Sequence, residues 1–208
     1  NKDRAERAQA AVKEAGLGAV LCFTYDNVRY VTGTHIGEWG RDKFDRYAIC
    51  PAEGDIFLWD PAPPAKRKSS PWLEGRVAAP ISTLQGALPP KHGIQDDFAI
   101  QIKKALSDLG LEGQPLGIDL MELPMLRALE AEGIEVVDGQ QALLNAREVK
   151  TPDEIELLKQ AAAMVDATYV DIAAAIRPGT RESDLVAIAH ERLYNLGSER
   201  VECVNSVA

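Results

Sequence analysis

The chain has 208 residues, of which 46% are hydrophobic and 26% are charged, a composition typical of a soluble globular protein. This length corresponds to one large domain or to about one and a half domains of ordinary size. Its 23 basic and 32 acidic residues give a formal net charge of −9, which disfavours binding to nucleic-acid phosphates. The sequence has no apolar run of about 18 residues, so we expect no helix that spans a membrane. The charge and the missing apolar run together predict neither nucleic acid nor a membrane as a partner.

The three cysteines favour a reducing compartment over a disulfide framework. Their number is odd, and no two of them form a C-x-x-C pair. Cys22 and Cys50 stand in apolar runs, where a buried free thiol is the expected state. We therefore predict a cytoplasmic protein without disulfides.

The first sixty residues predict a helix, a buried strand and a hairpin. Residues 3–15 have the composition of a surface helix that ends at a glycine. Residues 18–24 form an apolar run that is short enough for a buried strand, and residues 25–33 are predicted to form a loop. Residues 45–50 and 55–60 are separated by Pro-Ala-Glu-Gly, a turn sequence, and therefore predict an antiparallel hairpin.

Strands and helices alternate in the next part of the chain. The proline-rich, basic residues 61–71 predict a solvated loop, and residues 75–81 predict a short strand at the edge of a sheet. A helix, a strand, a helix and a strand are then predicted at residues 97–109, 115–120, 123–132 and 134–137. This alternation predicts an α/β domain, and the hairpin indicates that its sheet is mixed.

A long helix is predicted after residue 147. Thr151, Pro152 and Glu154 form a helix start with a capping box. The apolar residues that follow are three or four positions apart, which places them on one helical face: Ile155, Leu158, Ala162, Val165, Tyr169, Ile172 and Ile176.

The rest of the chain predicts a second helix and an incomplete strand. Residues 177–180 (Arg-Pro-Gly-Thr) interrupt the first helix, the second ends at Gly197, and residues 200–208 predict the start of a strand. Two helices and part of a strand cannot enclose a core. We therefore assign residues 1–146 to a complete α/β domain and residues 147–208 to the beginning of a larger one.

The residues alone supply no complete active site. Of the three histidines, His190 begins a sequence like H-E-x-x-H, but a tyrosine stands where the second histidine would be. The chain also lacks G-x-S-x-G, P-loop and G-x-G-x-x-G motifs. Neither a metal-ligand set nor a nucleophile follows from the sequence.

One polar segment has the composition of a ligand-binding loop. Residues 34–46 contain aromatic, basic and acidic side chains and precede the predicted hairpin, and such loops often carry ligand contacts. Phe44 and Arg46 are two residues apart and would share one face of a strand, an arrangement that suits a carboxylate-bearing ligand. The alternative is a surface arginine in a salt bridge beside a core phenylalanine.

Four segments together resemble the creatinase/prolidase family of pita-bread metallohydrolases. Residues 27–33 (Asn-Val-Arg-Tyr-Val-Thr-Gly) resemble its N-x-x-Y-x-[ST]-G motif. Residues 118–119 and 134–138 are similar to its "GI-[DE]" and "VDG" strands. Residues 147–155 resemble its "R-x-x-K-[ST]-x-x-E-[IL]" entry to the catalytic domain, and residues 177–180 resemble the following helix–helix connection.

The resemblance implies a mixed-sheet α/β N-terminal domain, followed by the opening helices of an α+β pita-bread domain. In the family, two aspartates, one histidine and two glutamates bind two divalent metal ions (Mn, Co, Zn or Fe). The resemblance puts all these ligands beyond Ala208 and none in this chain. It also implies a homodimer.

The resemblance also implies a role for Phe44 and Arg46. In creatinase-like members, a Phe-x-Arg pair of the N-terminal domain reaches the active site of the partner subunit and contacts the substrate carboxylate. Phe44 and Arg46 have this spacing and location. Trp39 and His35 are second-rank candidates for substrate contact.

The resemblance thus predicts the N-terminal portion of a metal-dependent hydrolase of Xaa-Pro dipeptides or related small amides. One alternative is the same scaffold acting on a small zwitterion, as a C–N hydrolase or a lyase. Another alternative is a binding or dimerisation module without catalytic activity.

Overall fold

The computed structural model describes residues 2–35, 44–84, 86–199 and 201. Contacts divide the chain into two compact units, Asn1–Val149 and Lys150–Ala208. None of the helices in the described ranges is long and apolar enough to cross a membrane.

The first unit alternates strands with helices. Its strands are β1 (Ala19–Cys22), β2 (Tyr47–Pro51), β3 (Phe57–Trp59), β4 (Val77–Ala78), β5 (Leu116–Ile118) and β6 (Val136–Asp138). Its helices are α1 (Lys2–Glu14), α2 (Tyr25–Thr32), α3 (Pro63–Ser69), α4 (Ile94–Asp108), α5 (Leu123–Ala131) and α6 (Gln140–Glu148). Each predicted strand and helix of this unit is present, whereas α2, α3 and α6 were not predicted.

The strands form one mixed sheet, which confirms the predicted fold class. Their order is β4-β3-β2-β1-β5-β6. β2 pairs antiparallel with both β1 and β3, and the other three pairs are parallel. The predicted hairpin is therefore β2–β3, and β4 lies at the edge of the sheet, as the proline in residues 75–81 indicated.

Helices cover both faces of the sheet because successive strand residues point to opposite faces. On one face, Leu21 and Ile49 belong to an apolar cluster with Phe98 of α4 and Met125 of α5. On the other face, a second cluster contains strand residues together with residues of α1, α2 and α6, among them Val12, Val20, Val28, Ala48 and Leu143. Both faces are thus buried, as is usual for a sheet with parallel strands.

Two of the cysteines are buried free thiols in the second cluster, as predicted. Burial raises the pKa of Cys50 to about 12 and raises the pKa of Cys22 well above its usual value. Both side chains behave as small apolar groups of the core. The third cysteine, Cys203, lies outside the described residues.

The prediction of a loop at residues 25–33 was wrong, because these residues form α2. The Asp119 carboxylate, which directly follows β5, accepts hydrogen bonds from Phe23 N (2.8 Å), Thr24 N (3.1 Å), Thr24 Oγ1 (2.8 Å) and Asn27 Nδ2 (2.9 Å). These bonds fix the start of the helix from a distant part of the chain. Gly33 ends it with a left-handed φ of 63°, which favours glycine.

Part of the predicted loop 61–71 is also helical. α3 has two prolines in its first turn, where a helix does not need their missing N–H groups. Arg67 donates from Nη2 to the carbonyl oxygen of Val77 at 2.6 Å, which joins α3 to β4. The basic residues of this segment therefore belong to an ordered helix.

The second unit consists of α7 (Pro152–Ala175) and α8 (Glu182–Asn195), separated at the predicted interruption. The predicted capping box is present at the start of α7. Among the described residues of this unit, only Thr168, Ala189 and Val201 are buried. Of residues 200–208, only Val201 is described, so the predicted strand there lies outside the described residues.

Candidate substrate-contact site

The site around Arg46 is built by the β2–β3 hairpin. Tyr47 begins β2 and pairs with Trp59 at the end of β3. The residues that flank this pair, Arg46 and Asp60, therefore face each other across the hairpin end. The Tyr47 and Trp59 rings stack with their centroids 5.1 Å apart, and the Tyr47 hydroxyl accepts a hydrogen bond from Ile81 N at 2.9 Å. The packing of this buried pair fixes the backbone positions from which the Arg46 and Asp60 side chains extend.

Arg46 and Asp60 form a buried ion pair that Lys66 extends. Arg46 Nε donates to Asp60 Oδ2 at 2.6 Å, and Lys66 Nζ lies 3.6 Å from the same oxygen. Lys66 Nζ also donates to the His35 carbonyl oxygen at 2.5 Å. The exposed fractions of the Arg46, Asp60 and Lys66 side chains are 9%, 1% and 11%. We call Arg46, Asp60 and Lys66 the charged cluster.

Two polar atoms at this site are buried without a hydrogen-bond partner among the described residues. They are Nη1 of Arg46 and Oδ1 of Asp45. Buried polar groups are usually hydrogen-bonded, so such atoms mark places where a further group can bind. A guanidinium N–H is a strong donor to a carboxylate, and the exclusion of water strengthens that interaction.

Burial shifts the protonation equilibria of two neighbouring groups. It raises the pKa of Asp45, and the positive charge of Arg46 opposes this shift. It lowers the pKa of Lys66, an effect that the Asp60 carboxylate opposes and that Arg46 reinforces. Both shifts have the sign expected for charged groups removed from water.

Phe44 belongs to the apolar core and does not lie on a strand. Its φ of 48° is in the left-handed region, and β2 begins three residues later at Tyr47. Its ring packs edge-to-face against Phe23 with centroids 5.2 Å apart. The expectation that Phe44 and Arg46 share a strand face was therefore wrong. The alternative of an ion-paired arginine beside a core phenylalanine matches this geometry, except that the ion pair is buried.

Of the two second-rank candidates, only His35 belongs to the described part of the chain. His35 is exposed and contributes its carbonyl oxygen to the charged cluster through Lys66. Trp39 lies outside the described residues. The structure thus brings Arg46 and the backbone of His35 to one cluster and leaves Phe44 in the adjacent core. A substrate-contact role for any of these residues stays a prediction.

The described ranges contain no group of three or more His, Cys, Asp or Glu side chains that could hold a metal ion. His92 is exposed in a short 3₁₀ helix, and His190 lies beside Tyr194, with ring centroids 6.2 Å apart. The residues present in this part of the chain therefore do not fit a two-metal site.

A family comparison identifies the first unit. The family model for the creatinase/prolidase N-terminal domain matches residues 4–149. The chain belongs to the creatinase/prolidase family. The motif residues lie at the two ends of α2: Asn27 donates a hydrogen bond to Asp119 near the start of the helix, and Gly33 ends it.

Three curated relatives cover most of the chain. The dimethylsulfoniopropionate lyases DddP of Roseobacter denitrificans and Roseovarius nubinhibens are 30% and 29% identical, in alignments that cover 96% of this chain. A creatinase from a Bacillus species is 32% identical, in an alignment that covers 88% of this chain. These matches cover 46%, 46% and 42% of the relatives, so the chain spans about half the length of the curated relatives it matches.

Solved structures of the family share the fold. The Xaa-Pro dipeptidase from Bacillus anthracis has a TM-score of 0.67 at 20% identity, and covers 95% of this chain and 50% of its own. The dipeptidase PepE from Mycobacterium ulcerans has a TM-score of 0.66 at 23% identity, with coverages of 96% and 50%. At these identities, the likeness establishes the architecture of the creatinase/prolidase N-terminal domain.

Sequence reasoning missed two members of the charged cluster. The position of Asp60 could have been predicted from the sequence, because the predicted strands 45–50 and 55–60 bring it within one residue of Arg46 across the hairpin. The position of Lys66 could not have been predicted in this way, because the sequence indicated a solvated loop where the structure has α3. Its position depends on α3, which places its side chain against Asp60.

Proposed function

We propose that the chain is the N-terminal portion of a metal-dependent enzyme that acts on a small zwitterion bearing a carboxylate. One observation carries this proposal: the curated relatives with 29–32% identity over most of the chain are named for such substrates, dimethylsulfoniopropionate and creatine. The reaction is then the breaking of a C–S or C–N bond of the substrate's cationic group. The N-terminal domain contributes substrate contacts and dimerisation.

Arg46 supports the carboxylate part of this proposal. Its guanidinium is always charged, and its Nη1 is buried without a partner in the described part of the chain. We propose that this edge binds the substrate carboxylate in the active site of the partner subunit. Phe44 would hold the backbone next to Arg46 in place by packing into the core. Trp39 and His35 remain second-rank candidates for substrate contact.

The metal requirement comes from the family. We propose two divalent metal ions (Mn, Co, Zn or Fe), held by ligands outside the described residues. Such a pair of ions would supply Lewis-acid polarisation and a bound water of lowered pKa. This chain's own residues bind and orient the substrate. A homodimer in the cytoplasm, without nucleic-acid or membrane partners, completes the proposal.

Hydrolysis of an Xaa-Pro dipeptide is the second candidate function. A curated relative that supports it is the putative dipeptidase YkvY of Bacillus subtilis, which is 23% identical over 199 residues. A dipeptide also carries a carboxylate, so the role of Arg46 would be the same. The third possibility, a binding or dimerisation module without activity, predicts neither bound metal nor turnover.

Turnover by the full-length, metal-loaded protein tests the proposal. We expect release of dimethyl sulfide from dimethylsulfoniopropionate or of urea from creatine, with a dipeptide such as Ala-Pro turned over much more slowly. Faster turnover of the dipeptide would establish the second candidate. Absence of both metal and turnover would contradict both enzymatic functions and leave the binding module.

Arg46→Lys tests the substrate-contact role. Lysine keeps the positive charge but loses the fork of donors, so we expect kcat/KM to fall about tenfold or more, the effect of one charged hydrogen bond. Arg46→Ala is less informative, because it removes the closer of the two cations that neutralise the buried Asp60 carboxylate and therefore also lowers stability. Arg127→Lys, on an exposed ion pair with Glu130, is the matched control and should leave kcat/KM unchanged. Equal kinetics for the Arg46 and Arg127 variants would contradict the role.

A further inference from the structure

We propose that Asp60 is a positioning residue, which holds the Arg46 guanidinium so that its Nη1 edge faces the carboxylate of the substrate. This inference rests on the proposed function, because it takes Arg46 as the group that contacts the substrate. It adds a residue to which neither the family motifs nor the relatives assign a role. Its basis is the way in which Asp60 is held and the part of Arg46 that it leaves unpaired.

Asp60 is held at both oxygens. Oδ1 accepts a hydrogen bond from Ala62 N at 2.9 Å, which forms a tight local turn before α3. Oδ2 accepts from Arg46 Nε at 2.6 Å. The side chain is 1% exposed, so it has no room to adopt another orientation. A carboxylate fixed in this way can fix its partner in turn.

The contact on Arg46 is made through one side of its guanidinium. This group is planar and carries five N–H donors in a rigid fork, so a bond at Nε sets the plane in which Nη1 donates. Nη1 points in a different direction from Nε and has no partner among the described residues. Asp60 therefore aligns the fork and leaves a donor for a second carboxylate.

Lys66 supports Asp60 at the same carboxylate oxygen that Arg46 contacts. Its Nζ lies 3.6 Å from Asp60 Oδ2 and is tied to the His35 carbonyl oxygen. Asp60 consequently keeps a positive neighbour when Arg46 shares its charge with a substrate. Positive and negative charges thus alternate from Lys66 through Asp60 and Arg46 to the substrate carboxylate. Each neighbouring pair in this series attracts electrostatically.

A purely structural ion pair is the competing explanation of the same contacts. Removing one partner of a buried pair destabilises a protein whatever its function, so a loss of stability does not discriminate. The two roles differ in which substrates they affect. Positioning of Arg46 matters for a substrate with a carboxylate, whereas loss of structure lowers activity towards every substrate.

The test compares Asp60→Asn with wild type in the full-length, metal-loaded enzyme, using the zwitterion that wild type turns over and its carboxamide. The carboxamide has the same shape without the negative charge. We expect Asp60→Asn to raise KM for the zwitterion about tenfold with kcat changed less than about threefold. Its kcat/KM for the carboxamide should equal that of wild type. Equal losses on both substrates, or no loss on either, would overturn the proposal.

Three further variants sharpen the test. Asp55→Asn is the matched control, because Asp55 lies in the same hairpin as Asp60 and also forms an ion pair, with Arg76, but is exposed. This variant should not change the kinetics of either substrate. Asp60→Asn combined with Arg46→Lys should be no worse than Arg46→Lys alone, because both act on one contact. If Asp60→Asn is insoluble, Lys66→Gln takes its place and should raise KM for the zwitterion about threefold, leaving the carboxamide unchanged.

Failure of the proposed function would be visible separately, as an inactive wild-type enzyme. In that case, calorimetric titration with propionate replaces kinetics. Wild type should bind propionate, and Asp60→Asn should bind it at least fivefold more weakly. Absence of propionate binding by wild type, or equal binding by both proteins, would contradict the positioning role of Asp60.

Discussion

Asp119 accepts four hydrogen bonds at the point where β1 leads into α2. It can do so because β5 is parallel to β1, with Leu21 opposite Ile118, so the residues after both strands meet at one edge. Two of its four donors are backbone N–H groups, those of Phe23 and of the N-cap residue Thr24, which directly precede α2. A single carboxylate thus joins a helix to a strand more than ninety positions away.

Asp119→Ala should lower the free energy of unfolding by about 3 kcal/mol, because it leaves buried donors without an acceptor. The matched variant is Asp138→Ala, which removes an exposed aspartate at the end of the neighbouring strand β6 and one hydrogen bond to Gln140 N. We expect it to cost about 1 kcal/mol, as for an ordinary helix cap. Urea denaturation followed by tryptophan fluorescence measures both. Equal costs would show that burial of Asp119 is irrelevant.

The charged cluster shows how far single residues can be predicted. The sequence placed Arg46 at the start of a hairpin strand, and the hairpin register then leads to Asp60 within one residue. It did not indicate the left-handed φ of Phe44, because only the surrounding core imposes that conformation. Contacts that depend on local strand pairing could therefore be predicted from the sequence, and conformations that depend on tertiary packing could not.

At the scale of elements, strands and amphipathic helices were predictable, and the short helices α2, α3 and α6 were not. The β strands stand out as apolar runs, and α4, α5 and α7 have clear helical periodicity. α2 is eight residues long and depends on Asp119, which belongs to another part of the sequence. α3 contains prolines that usually indicate a loop, but they lie in its first turn.

The capping box of α7 is the element feature that the sequence specified most completely. Thr151 Oγ1 accepts from Glu154 N at 3.2 Å, and Glu154 Oε2 accepts from Thr151 N at 2.8 Å. Both bonds join residues three positions apart, so they need no tertiary contact. This is why the start of α7 was predicted to the residue.

Thr151→Ala should lower the free energy of unfolding of the full-length protein by about 1 kcal/mol, because the N-terminal amides of α7 lose their acceptor. Glu154→Gln keeps a side chain that can complete the box, so its cost should be smaller. Hydrogen exchange of the amides in the first turn of α7 locates the effect. Faster exchange in the Gln variant than in the Ala variant would contradict this account.

At the scale of the whole molecule, the two units differ in how well they bury apolar residues. In Asn1–Val149, both faces of the sheet carry an apolar cluster, and strand residues such as Leu21, Ile49 and Leu58 are fully buried. In Lys150–Ala208, five of the six large apolar residues of the predicted helical face are exposed and the sixth, Ile172, is partly buried: Ile155, Leu158, Val165, Tyr169 and Ile176 are between 44% and 64% exposed. The apolar pattern of α7 thus correctly predicted a helix but not a buried one.

This difference predicts how the two units behave when they are separated. Residues 1–149 should fold alone and unfold in one cooperative thermal transition, because each buried Leu, Ile or Phe contributes about 1.5–3 kcal/mol that does not depend on the second unit. Residues 150–208 should show only weak helicity and no cooperative transition, since two helices with an uncovered apolar face lack the packing that stabilises helices in water. Circular dichroism of both fragments during heating measures this. A sharp transition in residues 150–208, or its absence in residues 1–149, would mean that stability is not set by the clusters on the two faces of the sheet.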